Sequence, residues 1–169
     1  YSSSKKRESN IKIDGKEGNT VEFWLKKKAY ATDAKREVIF DIHTNEITDQ
    51  AASTFGRFKL ELDTTVSDST SPFIFTYLSG TSGVTDKSIG SNTLTKASVV
   101  DDEWHHYALS VHHTSSGGSN ILRSQLYVDG ELSETVDTSV ASFGPVDRHL
   151  VGTIGSLATS VSSAAAKGW

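Results

Sequence analysis

The chain has 169 residues, a net charge of −4 and no Cys. It can fill one hydrophobic core unaided, and a disulfide framework, a thiolate zinc site and a Cys nucleophile are excluded. No apolar run reaches the ~20 residues of a membrane helix. Residues 1–36 carry ten Lys/Arg and five Asp/Glu, net +5, and the remainder carries seven and sixteen, net −9. That acidic bulk argues against nucleic acid as a partner. The basic end, with Lys26-Lys27-Lys28, reads as a solvated strand edge that resists edge-to-edge pairing.

In chain order, residues 1–10 read as a leader or linker. The chain opens at Tyr1 without a Met, so it is expected to be a piece of a longer protein. Val21, Phe23 and Leu25 alternate with Glu22, Trp24 and Lys26, which predicts a strand with an aromatic on its second face. Ala34 to Glu37 offers at best one helical turn. Val38 to Ile42 is apolar on both faces and suits the middle of a sheet. Phe58, Leu60 and Leu62 alternate with Arg57, Lys59 and Glu61, which predicts a strand with one wet face. Phe73 to Leu78 is again apolar throughout. Trp104 to Val111 and Gln125 to Val128 are further strands. Asp129-Gly130 then predicts a type I′ hairpin turn, because both positions need positive φ. Leu132 to Val136 is the return strand, and Leu150 to Ile154 one more.

Asp63 to Ser71, Ser79 to Asn92, Thr114 to Asn120 and Ser156 to Lys167 read as polar loops between strands. No segment keeps a helical period; Ala164-Ala165-Ala166 is too short. Many short strands with turn signals predict an all-β fold, an antiparallel two-sheet sandwich of jelly-roll type. Trp104 is expected to be a buried core residue of that sandwich.

Trp104-His105-His106-Tyr107-Ala108-Leu109, followed by Leu126-Tyr127-Val128-Asp129-Gly130, resembles the signature of laminin G-like domains of the concanavalin A-like lectin/glucanase superfamily. Thr20 to Lys26 resembles the early strand of the same family. The resemblance runs from about Ile11 onward and implies a concanavalin A-like domain over 11–169. Family members close with one more strand, which is expected to be lacking after Lys167-Gly168-Trp169. Pro72 to Gly80 and the Ser/Thr/Gly-rich style resemble laminin G-like modules of tailed-bacteriophage virion proteins. That resemblance implies a virion or cell-surface location.

Six His residues raise zinc chemistry. On one strand His106 and His112 share a face about 20 Å apart, at ~3.3 Å per residue, so they cannot share an ion. His105 and His106 point to opposite faces. His43, His113 and His149 complete the six; His105 is placed to meet a loop ligand, with a structural role preferred. Glu61-Leu62-Asp63-Thr64-Thr65-Val66 resembles the E-x-D-x-x-E run of retaining glucanases, whose two carboxylates flank the bond they cleave. Val66 stands where the acid should be, so Glu61 is read as surface-facing and Asp63 as a loop residue. There is no G-x-S-x-G elbow, P-loop or H-E-x-x-H.

No catalytic residue, metal site or cofactor is therefore expected. Calcium at a loop rim stays open, because some laminin G-like domains use it; Asp86, Asp101, Asp102 and Asp147 have suitable hardness. The expected function is a non-enzymatic binding or adhesion module of a larger assembly. It would contact a glycan or a protein surface through rim loops such as Ser79 to Asn92, with no nucleic acid and no membrane insertion. The alternatives are a purely structural virion decoration and a glucanase-like enzyme.

Overall fold

The computed structural model describes residues 12–33, 35–44, 52–116, 118–146 and 150–155, and the backbone of 166–167. Among these residues ten strands form: β1 (Asn19–Lys26), β2 (Arg36–Thr44), β3 (Gly56–Asp63), β4 (Phe73–Ser79), β5 (Ser82–Ser88), β6 (Trp104–Ser116), β7 (Ser119–Val128), β8 (Glu131–Ser139), β9 (Leu150–Ile154) and β10 (Ala166–Lys167). Among the described residues the one helical element is a 3₁₀ turn at Ala97–Val99. No described helix is long and apolar enough to cross a membrane.

The strands make two sheets. One is antiparallel in the order β1-β6-β7-β8; the other runs β10-β2-β3-β4-β5, with β9 also paired to β2. β9 is antiparallel and the two-residue β10 parallel to β2. The sheets face each other across one core, as the period-two pattern predicts. Phe58, Leu60 and Leu62 of β3 point inward with Phe73, Phe75 and Tyr77 of β4, and meet Tyr107, Leu109 and Val111 of β6. Aromatic contacts lock the layers. The Phe73 and Tyr107 rings lie 4.9 Å apart across the sandwich, and Phe23 stacks on Tyr107 at 5.5 Å. The Tyr77 hydroxyl donates to Asn19 Oδ1 at 2.5 Å, joining β4 to β1.

Five expectations change. Ser79 to Asn92 is not a loop: it contains β5, hydrogen-bonded to β4. Of β5 only Val84 is buried, and its last four residues are exposed, so an edge strand reads as polar linker. Thr114 to Asn120 is largely strand, because β6 and β7 pair up to Ser116 and Ser119. Arg36 and Glu37, read as part of a turn, already belong to β2. Arg57, Lys59 and Glu61 of β3 are buried, so that strand is dry on both faces. Trp104 is 61% exposed rather than buried. Its parity decides this: Tyr107, Leu109 and Val111 point inward, so Trp104 and His106 point out. The leader, His149, Asp147 and Ala164-Ala165 fall outside the described residues, as does nearly all of Ser156 to Lys167.

Candidate functional site: the outer face of the four-stranded sheet

Val21, Phe23 and Leu25 of β1 pack on the core, which turns Thr20, Glu22, Trp24 and Lys26 outward. The same parity sends Trp104, His106, Ala108, Ser110 and His112 of β6 outward. On β7 the inward residues are Leu122, Ser124 and Leu126, leaving Arg123, Gln125 and Tyr127 on the outer face.

The register assembles these residues in rows. Trp24 lies opposite His106, and Lys26 opposite Trp104. Glu22, Ala108, Tyr127 and Leu132 make the next row, and Thr20, Ser110, Gln125 and Thr135 the one after. His112, Arg123 and Asp137 follow.

One end of this face is therefore aromatic. Trp24 is 64% exposed, and its ring lies 5.3 Å from that of His106. Trp104 is its diagonal neighbour on β6, within reach of a long side chain across a pair. Leu132 is exposed beside half-buried Tyr127. Between Glu22 and Tyr127 stands Ala108, whose methyl leaves a shallow floor. His106 Nε2 lies 3.4 Å from a Glu22 carboxylate oxygen. The other end is polar. Arg123 holds Asp137 in a bidentate pair at 2.7 and 2.6 Å.

The signature motifs meet at the margin of the aromatic end. His105 Nδ1 is 2.6 Å from Asp129 Oδ2, and its Nε2 is 2.9 Å from Asp101 Oδ2. Asp129 Oδ1 accepts the His106 backbone N–H at 2.8 Å. Asp129 and Gly130 have φ of 51° and 86°, the type I′ turn the sequence predicts. The hydrogen bond to Asp129, then that to Asp101, raises the His105 pKa above the usual imidazole value. Both carboxylates are lowered, His105 being the first cause in each case. The Asp-Gly signal reveals the turn but not the carboxylate's second role.

The remaining predicted site residues are occupied structurally. Glu61 is buried, not surface-facing: its carboxylate lies 2.5 Å from the Lys59 ammonium and 3.6 Å from Arg36. Asp63 accepts the backbone N–H and the hydroxyl of Thr65, as a turn carboxylate does. Asp86 sits on β5 rather than in a loop and pairs with Arg36 at 2.8 Å. Asp102 lies 3.7 Å from Lys26. His43 is buried, with Nδ1 2.7 Å from the Thr44 carbonyl oxygen. No group of three metal-ligating side chains forms among the described residues. Within Ser79 to Asn92, Ser79 donates to the Gly144 carbonyl, and Gly90 and Ser91 donate to Glu134.

No curated protein and no solved structure matches the chain. A family model does match, over residues 5–167, and it describes the concanavalin A-like lectin/glucanases superfamily. With that match covering nearly its whole length, the chain belongs to the laminin G-like family of this superfamily, as its Trp-His-His-Tyr and Tyr-Val-Asp-Gly motifs and its two-sheet sandwich lead one to expect.

Proposed function

We propose that this domain is a non-catalytic binding module that takes a glycan on the aromatic end of its four-stranded sheet. The observation that carries the reading is the pair Trp24 and Trp104, both more than 60% exposed on one face of the sheet. Each indole leaves about 150 Å² in water, given the 150–250 Å² an aromatic side chain can bury. Covering that area is worth about 2–4 kcal/mol per ring before the costs of association. A pyranose ring offers a matching surface, with C–H groups on its face and hydroxyls at its rim. The hydroxyl and amide side chains of Thr20, Ser110, Gln125 and Thr135 lie one row beyond Tyr127 to receive those hydroxyls.

On this reading recognition lies on the sheet face rather than on Ser79 to Asn92. The ion pairs of Glu61, the turn role of Asp63 and Val66 at the third position support a module without glycosidase chemistry. Stacking sites of this kind are individually weak, so display in many copies on a virion or cell surface would supply avidity.

The test is a glycan array probed with the domain clustered on a scaffold. Binding lost in Trp24→Ala and in Trp104→Ala, and kept in Ser91→Ala, supports the platform. Binding that survives both Trp changes moves the site to the rim. A clustered domain that binds no glycan leaves the structural spacer as the better reading.

A further inference from the structure

Trp104 follows a short segment, residues 101–103, with a left-handed residue at its centre. Asp102 has φ of 64°, a region in which non-glycine residues are uncommon. Three contacts hold the segment. The Asp102 N–H donates to the Lys27 carbonyl at 3.1 Å, the Lys26 ammonium lies 3.7 Å from Asp102, and Asp101 meets His105 at 2.9 Å.

His105 is thus bracketed by two carboxylates, one on each ring nitrogen. A carboxylate can only accept at neutral pH, so each nitrogen must carry a proton for both contacts to hold. A neutral imidazole donates to one side only and turns a lone pair toward the other carboxylate. The two sides are unequal. Asp129 is anchored independently, since its carboxylate accepts the His106 N–H at 2.8 Å and its own N–H donates to the His106 carbonyl at 2.8 Å. Asp101 has one further bond to its carboxylate, from the Glu103 N–H at 3.0 Å. Loss of the proton is therefore expected to break the contact to Asp101.

We propose that Asp101, His105 and Asp129 form a proton-dependent clamp, in which His105 is a positioning residue. It fixes Trp104 at the margin of the platform while its ring carries both protons and releases residues 101–103 when one leaves. The groups facing His105 are few. They are Asp101 before β6, Asp129 in the β7–β8 turn, the Tyr107 ring at 6.4 Å, and apolar Leu25 opposite on β1. Lys26, next to Leu25, is turned to Asp102. The raised pKa of His105 and the lowered pKa of both carboxylates agree with the doubly protonated ring. What the platform binds rests on the proposed function; the clamp does not.

The experiment is acrylamide quenching of tryptophan fluorescence in the unliganded domain, from about pH 5 to about pH 9, the span over which imidazoles titrate. A rise in quenching on the alkaline side is expected, and it is lost in Trp104→Phe. His105→Gln, which offers one donor group, is expected to show alkaline-type quenching at every pH. His105→Lys, whose ammonium can serve both carboxylates, is expected to hold the acid form throughout. Asp101→Asn should abolish the transition, and His106→Gln should keep it. A transition that persists in His105→Gln or in Asp101→Asn overturns the clamp. Glycan binding measured at both pH extremes separates the two ideas. If the transition behaves as expected but no glycan binds, the glycan reading fails and the clamp remains. If Trp-dependent glycan binding is found while quenching ignores His105, the platform remains and the clamp fails.

Discussion

Arg57 and Asp41 lie on adjacent strands of the six-stranded sheet, on the face turned away from the core, yet they are 4% and 0% exposed. The guanidinium holds the carboxylate at both ends, Nε to Oδ1 at 2.8 Å and Nη2 to Oδ2 at 2.7 Å. Arg57→Met keeps most of the aliphatic stem and removes the charge, so Asp41 loses this bidentate partner while still buried. Breaking a buried pair from one side costs about 3–5 kcal/mol. For a domain of this size each kcal/mol lowers the melting temperature by about 2–4 °C, so a drop of about 6–20 °C is expected by calorimetry.

Adding Asp41→Asn to Arg57→Met should restore much of that loss, because the buried carboxylate charge that lost its guanidinium is then gone. Urea titrations of the two singles and the double give the coupling directly; interacting neighbours show about 0.5–3 kcal/mol, and a value at the upper end is expected here. A loss below about 1 kcal/mol for Arg57→Met, ordinary for a surface change, would refute the reasoning. It would mean that the face is wet, as the alternation of Arg57, Lys59 and Glu61 suggests when read alone.

Tyr107→Ala should cost about 3–5 kcal/mol, since its ring is buried against Phe23 and Phe73. Trp104→Ala, three residues away, should cost no more than about 2 kcal/mol, because less than half of the residue is covered; equal losses in urea titrations would contradict its outward placement. His105 has a raised folded pKa, from Asp129 first and Asp101 second. Its stabilising contribution is therefore full below the ordinary value of 6.5 and fades as pH rises through the higher folded value. Melting curves of wild type and His105→Gln should accordingly converge toward alkaline pH, and curves that diverge there would reverse the sign. Gly83→Ala should destabilise by more than about 1 kcal/mol. The residue has φ of 131°, and an added Cβ would lie 2.0 Å from the Tyr77 carbonyl oxygen; a neutral result would mean that the β4–β5 hairpin is built differently.

Most strands were legible because their inward residues alternate cleanly, as in Phe58, Leu60 and Leu62, or because both faces are apolar, as in Phe73 to Leu78. Asp129-Gly130 announced its turn because few other residue pairs tolerate two positive φ values. β5 was not legible, since a solvent-exposed edge strand with one buried Val carries no hydrophobic period. Residue type alone puts Trp104 in the core, since a large aromatic is ordinarily a core residue. The parity of Tyr107, Leu109 and Val111 already contained the right answer. Residue type misleads about Glu61 in the opposite direction. A charged residue alternating with leucines looks solvated, and only the placement of Lys59 and Arg36 shows that it is paired. The platform needed strand order as well, because nothing in the chain reveals that Trp24 and Trp104 come from neighbouring strands.

The two outer faces reverse the usual disposition of side chains, and the reversals bear on function differently. On the six-stranded sheet, buried Asp41, Arg57, Lys59 and Glu61 neutralise one another within the fold, with Arg36 and Asp86 at the margin. Such a network needs no ligand to explain it, because each charge already has its counter-charge. On the four-stranded sheet the exposed indoles have no comparable explanation. A threonine or tyrosine at position 24 would serve strand formation as well, and an exposed Trp gains the folded state little burial. Two of them on neighbouring strands, paired without a bulge between β1 and β6, form a surface whose spacing is fixed by the sheet rather than by a loop. A ligand that covers both rings need not order any backbone, so its affinity is not reduced by that entropy. The advantage holds only while Trp104 is itself fixed, and Trp104 is the first residue of its strand. On the proposed reading, the contacts that border it, above all the two carboxylates around His105, would govern how much of the platform's area can be used.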